Sequence, residues 1–169
     1  MSASKTSAAS DQRGFTLIEV IVVMVIIGII VTIAGANYAK SLPNWRLHST
    51  SRDIHSAMLR AKSEAIKQGV DITLLFDTSL PGYSMFVDSD NDKTLDSDER
   101  LLIPQTSFPD SVEFEGINFP SNALVLNFRG LPASAGTINL RAVDASGNVT
   151  RKRDIVVSKA GRIQIKLPD

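Results

Sequence analysis

Cysteine is absent from the 169-residue chain, which excludes disulfides, thiol nucleophiles and cysteine-type zinc sites together. That absence does not place the chain in a reducing compartment, because an exported domain with a sound core can do without staples. Histidine is scarce, with only two residues. His48 and His55 lie seven apart with no paired histidine nearby, so they read as surface or flanking residues of one helix and not as ligands. The sequence has no Gly-rich phosphate loop, no serine elbow and no His–acid pair at useful spacing, which leaves nucleophilic and metal-hydrolase chemistry without support. The chain is expected not to be an enzyme. Basic and acidic residues number 18 each, so no global field points to nucleic acid or to an acidic substrate. Neither an internal repeat nor a low-complexity linker occurs.

What is present divides unevenly. A mean hydropathy of +0.06 averages one very apolar stretch near the start with a polar remainder. Val20 to Ala39 is twenty residues without a charge. At ~1.5 Å per helical residue it spans roughly 30 Å, the hydrocarbon thickness of a bilayer. The remaining domain is too small to wrap such a helix on all sides, so a membrane span is expected. Before it stands "MSASKTSAASDQRG", a short polar leader with Lys5, Arg13 and Asp11. Lys40 and Arg46 follow the run, so charge asymmetry sets orientation only weakly.

No A-x-A cleavage site follows the apolar run. A cut between Gly14 and Phe15 would leave the whole run on the mature chain, with its new amino terminus four residues from Glu19. An acid near hydrocarbon costs ~2.5–3.5 kcal/mol on insertion scales and asks for a partner. Two accounts of Glu19 stand side by side: the free amine of a neighbouring chain at nearly the same depth, or snorkelling to the headgroups.

The stretch "RGFTLIEVIVVMVIIGII" resembles the class III leader and N-terminal helix of type IV pilins and type II secretion pseudopilins. The resemblance implies cleavage by a prepilin peptidase after Gly14, N-methylation of Phe15, and pairing of Glu19 with an adjacent subunit's terminal amine during filament assembly. One departure is Ala36, where many pilins carry proline; the nearest proline here is Pro43.

After the anchor, Asn44 to Gly69 reads as a second helical section, with Pro43 suited to a helix start and Gly69 to its cap. Leu47, Ile54, Met58, Ala61 and Ala65 fall on one face, with Arg52, Lys62 and Lys67 opposite. Beyond Gly69 the period changes to two. "VDITLLFD", "YSMFVD", "ERLLIP", "SVEFE", "ALVLNFRG", "TINLRAV", "VTRKRDIVVS" and "GRIQIKL" read as strands, with hairpin turns at Pro81-Gly82 and Ser146-Gly147-Asn148. The expected fold is α+β: a long N-terminal helix, membrane-spanning then amphipathic, on a mainly antiparallel sheet. The expected divisions are a leader over 1–14, an assembly half-helix over 15–42, an amphipathic helix over 43–69 and a β-rich domain over 70–169. "RAKSEAIKQGVDITLLFD" with its acidic turn, "FRGLP…GTINL" and "SKAGRIQIKL" resemble the GspH/FimT branch of the pilin family, which implies a minor subunit.

"DSDNDKTLDSDE" holds six acids in twelve residues. Read as a calcium loop, Asp88, Asp90, Asp92, Asp96 and Glu99 fall on the acidic positions and Thr94 would supply its carbonyl. Lys93 stands where a left-handed turn normally takes glycine, at a cost of roughly 1–2 kcal/mol. The alternative is a solvated hairpin tip. Arg151, Lys152, Arg153, Lys159, Arg162 and Lys166 fall within the last nineteen residues. They read either as a phosphate-binding stripe or as a solvated edge strand whose cations block edge pairing. Some FimT-like minor pilins bind DNA through Gly-Arg-x-Arg; here Gly161-Arg162-Ile163-Gln164 lacks the second arginine.

The expectation is therefore a precursor held in the bacterial inner membrane by a single span, with its domain in the periplasm. It would be assembled with other pilin or pseudopilin subunits at the tip or priming complex of a pilus or type II secretion pseudopilus. The alternatives are a DNA-binding minor pilin and a plain membrane-anchored domain.

Overall fold

The structure, a computed structural model, describes residues 15–167. Among the described residues one α-helix, α1 (Leu17–Gln68), is followed by eight strands, with one 3-10 turn at Pro120–Asn122. These are β1 (Ile72–Asp77), β2 (Gly82–Val87), β3 (Leu101–Ser107), β4 (Val112–Ile117), β5 (Ala123–Leu126), β6 (Gly136–Val143), β7 (Val149–Val157) and β8 (Ile163–Lys166). Every one of the eight strand segments read from the period-two pattern contributes a strand.

The chain divides into two units, residues 1–39 and 40–169. In the first, the stretch Leu17–Gly35 has a mean hydropathy of 3.1 and none of it is buried. Its one hydroxyl, Thr32, donates to the Gly28 carbonyl at 2.8 Å, so it presents no unmet polar group to an apolar solvent.

In the second unit, Leu47, Ile54, Met58, Ala61 and Ala65 are all fully buried, as their spacing predicts. Pro43 does not open a new helix; α1 continues through it. A proline inside a helix removes one backbone hydrogen bond and costs ~3 kcal/mol. Burial of the apolar face that follows offsets that loss, since packing supplies most helical stability in proteins. The helix ends where expected, with the Gly69 N–H bonded to the Ala65 carbonyl at 2.9 Å.

The strands form two four-stranded sheets, not one. Their orders are β3-β2-β1-β5 and β4-β6-β7-β8, with every pairing antiparallel. β5 returns to the first sheet against β1, with Ile72 opposite Leu126. It therefore interrupts the second sheet's meander in sequence but not in space. A single core joins the helix face to Ile72, Leu74 and Phe76 of β1, Leu124 and Leu126 of β5, Ile138 and Leu140 of β6, and Ile155 and Val157 of β7. Phe76, Tyr83, Phe108, Phe114 and Phe119 form a chain of ring contacts that links strands of the two sheets. Phe76 of β1 meets Phe114 of β4 edge-on at 6.1 Å, and Phe108 lies 4.9 Å from Phe114. Such pairs add ~0.5–1.5 kcal/mol each beyond the area they bury.

Three segments distant in sequence converge on Lys62. Its ammonium donates to the Gly161 carbonyl at 3.0 Å, so Lys62 is not a free surface charge on the far helix face but a tie to the turn before β8. Gly130 (φ +71°) and Gly161 (φ +74°) both sit in left-handed backbone. A Cβ on Gly130 would come within 2.7 Å of the Ile66 side chain, and one on Gly161 within 3.1 Å of the Lys62 Nζ. Backbone conformation favours glycine at both places, and at either a Cβ would displace a neighbouring side chain.

Candidate functional site

At the start of α1, Thr16 precedes the first helical residue and Glu19 lies in the first turn. The Glu19 N–H donates to the Thr16 hydroxyl at 3.3 Å, half of a Thr-x-x-Glu capping box. The Thr-x-x-Glu spacing is itself a sequence motif, separate from the amine-pairing and snorkelling accounts of Glu19. A carboxylate at this end also opposes the positive pole of the helix dipole. Glu19 therefore has a favourable local position whatever neutralises it from outside. It is the single charge between Leu17 and Gly35, and its neighbours Ile18, Val20 and Val22 are exposed. Phe15, with 83% of its surface exposed, stands four residues before it. Gly14 lies outside the described residues.

The acidic loop between β2 and β3 is more ordered than a solvated hairpin tip requires. Asp88 is buried to 2% exposure. Its Oδ2 accepts from the Thr73 hydroxyl at 2.7 Å and from the Lys93 N–H at 3.3 Å. Its Oδ1 is buried with no hydrogen-bond partner. Glu99 is pinned through both oxygens, by the Ser89 N–H at 2.7 Å and the Asp96 N–H at 3.3 Å. Lys93 adopts the left-handed conformation that its place in a calcium loop demands, with φ +68°.

The six sequence-predicted ligands do not form one cluster. Carboxylate oxygens of Asp88, Asp90 and Glu99 lie within 4.8 Å of one another, and those of Asp90, Asp92 and Asp96 form a second group sharing Asp90. Asp92 spends its oxygens on Thr94, accepting from its hydroxyl at 2.6 and 2.7 Å and its N–H at 2.7 Å. The Thr94 hydroxyl holds the Asp92 carboxyl below its ordinary range. Asp96 is pushed above it by the negative charges of Asp92, Asp90, Glu99 and Asp98, with Asp92 foremost. Thr73, on a different strand, is a residue the sequence reading missed; nothing local in the sequence marks it.

The basic residues of the C-terminal strands are separated by the pleat. Arg151 and Arg153 share a face of β7 with buried Ile155 and Val157, and they line a cleft with Asn44, Trp45 and His48 of α1. Lys152 points the other way and pairs with Glu115, beside the Arg141–Glu113 ion pair at 2.8 Å. Asp154, on Lys152's face, accepts from Asn139 at 2.7 Å. The Arg162 guanidinium bonds the Gln164 carbonyl oxygen at 2.7 Å once that amide is oriented to accept. Lys159 and Lys166 are exposed. Strand pairing thus splits the six into separate environments, so they do not present one continuous stripe. His48 is half-buried on the cleft with its Nδ1 unpaired, a flanking position of the helix.

Comparisons with known proteins bear on the family and the fold. Residues 50–161 match the model of the family described as type II transport protein GspH, and residues 9–35 match the prokaryotic N-terminal methylation motif. The pilin-like protein PilA1 of Thermus thermophilus is 29% identical over 163 residues, covering 92% of this chain and 99% of that protein. Among solved structures, the minor pseudopilin EpsH of the Vibrio cholerae type 2 secretion system shares the fold with a TM-score of 0.57 at 12% identity. It covers 73% of this chain and 98% of its own. The type IV minor pilin FimU of Pseudomonas aeruginosa does so with a TM-score of 0.54 at 19% identity, over 75% of this chain and 91% of its own.

Proposed function

The chain belongs to the GspH family of minor pilins and pseudopilins, and from that membership we propose that it is a filament subunit stored in the inner membrane as a precursor. Prepilin peptidase cleaves it between Gly14 and Phe15 and methylates the new Phe15 amine. The mature subunit then joins other pilin or pseudopilin subunits at the tip or priming complex, with its domain on the periplasmic side.

The observation that carries this reading is the stretch Leu17–Gly35, wholly unburied within the chain and with Glu19 as its one charge. Apolar surface of that extent needs an apolar solvent. A bilayer supplies one before assembly, and the packed helices of neighbouring subunits supply another after it. Glu19 is tolerable in both when a cation meets it at its own depth, and the Phe15 amine of an adjacent subunit is at that depth.

Mass spectrometry of the membrane fraction from cells with an active prepilin peptidase should find a mature chain beginning at methylated Phe15. In the same cells Glu19→Ala should leave membrane insertion and cleavage intact. It should lower the filament-incorporated fraction by about tenfold, the effect of losing ~1.4 kcal/mol of pairing. A chain that still begins at Met1, or a Glu19→Ala subunit incorporated at the normal level, is incompatible with the proposal.

A further inference from the structure

We propose that the loop between β2 and β3 binds one calcium ion through Asp88, Asp90 and Glu99, with the buried Asp88 Oδ1 as its central ligand. This site is independent of the assembly helix and of the filament role.

The first argument is the state of Asp88. A carboxylate oxygen removed from water and left unpaired is costly, and Asp88 is 2% exposed with its Oδ1 in that condition. Its other oxygen is held by Thr73 and by the Lys93 N–H. The side chain therefore cannot turn out to solvent without losing both bonds. Oδ1 is thus an acceptor open to a bound cation or donor. Among the described residues no ion pair to Asp88 is formed, and Lys93 reaches it through its backbone N–H alone.

The second argument is distance. Oxygens of Asp88, Asp90 and Glu99 are mutually within 4.8 Å. Calcium holds its oxygens at ~2.3–2.6 Å, so ligands across the ion from one another stand up to roughly 5 Å apart. The three carboxylates can close on such an ion with little movement. Magnesium, at ~2.0–2.1 Å and with strict octahedral demands, fits this irregular group less well. The third argument is preorganisation. Both Glu99 oxygens are oriented by backbone N–H donors, while the loop's left-handed residue, Lys93, turns the chain so that its N–H points at Asp88. Asp92 and Asp96, grouped with Asp90, add negative charge beside the ion without being needed to hold it.

The experiment uses the full chain in a neutral detergent. Calorimetric titration with calcium chloride should give one saturable site in the range of extracellular modules, Kd on the order of 0.1–1 mM. About 10 mM calcium should raise the melting temperature by a few degrees. Magnesium chloride at equal concentration should give a clearly smaller rise. Asp90 and Glu99 are not buried core residues, so Asp90→Asn with Glu99→Gln should fold without calcium and lose both the binding heat and the rise. Absence of a calcium rise in the unaltered chain overturns the site. So does a rise that survives in the double variant, or one that magnesium reproduces in full.

Discussion

Single residues carry sharply different weights here, and their surroundings decide which. Glu19 is costly in lipid yet well placed at a helix N-terminus, where Thr16 shares the cap. Asp88 and Asp98 belong to the same acidic run, but only the first has a carboxylate oxygen grouped with those of Asp90 and Glu99. Gly130 is a residue whose absence of a side chain is itself the function. Its φ of +71° strains any side chain, and the 2.7 Å approach of the Ile66 methyl means that this neighbour must shift to admit one. Gly130→Ala should lower stability by about 1–3 kcal/mol through strain and overpacking, measured by denaturant unfolding of the detergent-solubilised chain. An unchanged midpoint would show that the loop can move off the helix freely. Lys62 was legible as a helix-face cation, but its bond to the Gly161 carbonyl was not, because the partner lies 99 positions away.

Among the elements, α1 shows how packing outweighs local preference. Pro43 reads as a boundary, and the residues before and after it read as two helices. The observed helix runs unbroken from Leu17 to Gln68. The proline thus remains as a local weakness inside a helix held by its buried face. Pro43→Ala should restore a backbone bond and raise stability by about 1–3 kcal/mol, less whatever packing the ring provides. A lower melting temperature for that variant would mean that the buried ring contributes more than the missing bond. Strand β7 shows the opposite case, in which local pattern predicted the outcome. Alternation set Arg151 and Arg153 apart from Lys152, as the pleat requires. Which partners each face would meet, the α1 cleft on one side and Glu115 on the other, depended on neighbouring elements.

For the molecule as a whole, the decisive feature is that its buried residues all belong to the second unit among the described residues, beginning at Pro43. The described apolar part of the first unit contributes exposed surface and nothing to that core. A chain comprising residues 40–169 should therefore be soluble and fold with a melting temperature within a few degrees of the full chain, followed by circular dichroism. Loss of cooperative unfolding in that fragment would mean that the first unit supports the second. The absence of cysteine is consistent with this core: the helix face, two sheets and the phenylalanines at their junction supply the burial that small exported domains otherwise replace with disulfides.

The sequence by itself determined what depends on near neighbours along the chain. The uncharged run, the five buried positions of α1, the Gly69 cap, the eight strands and the turn at 146–148 follow from periodicity and turn chemistry, which act over a few residues. The first hairpin turn falls at 78–81, with Gly82 already in β2. The tertiary structure alone decided which strands pair, so that one expected sheet became two, with β5 beside β1. It alone buried Asp88 against Thr73, brought Gly130 and Gly161 to Lys62, and carried α1 through Pro43. Each of those outcomes depends on contacts between segments far apart in sequence. A residue's pattern tells which way its side chain faces, whereas only the folded chain supplies what it faces.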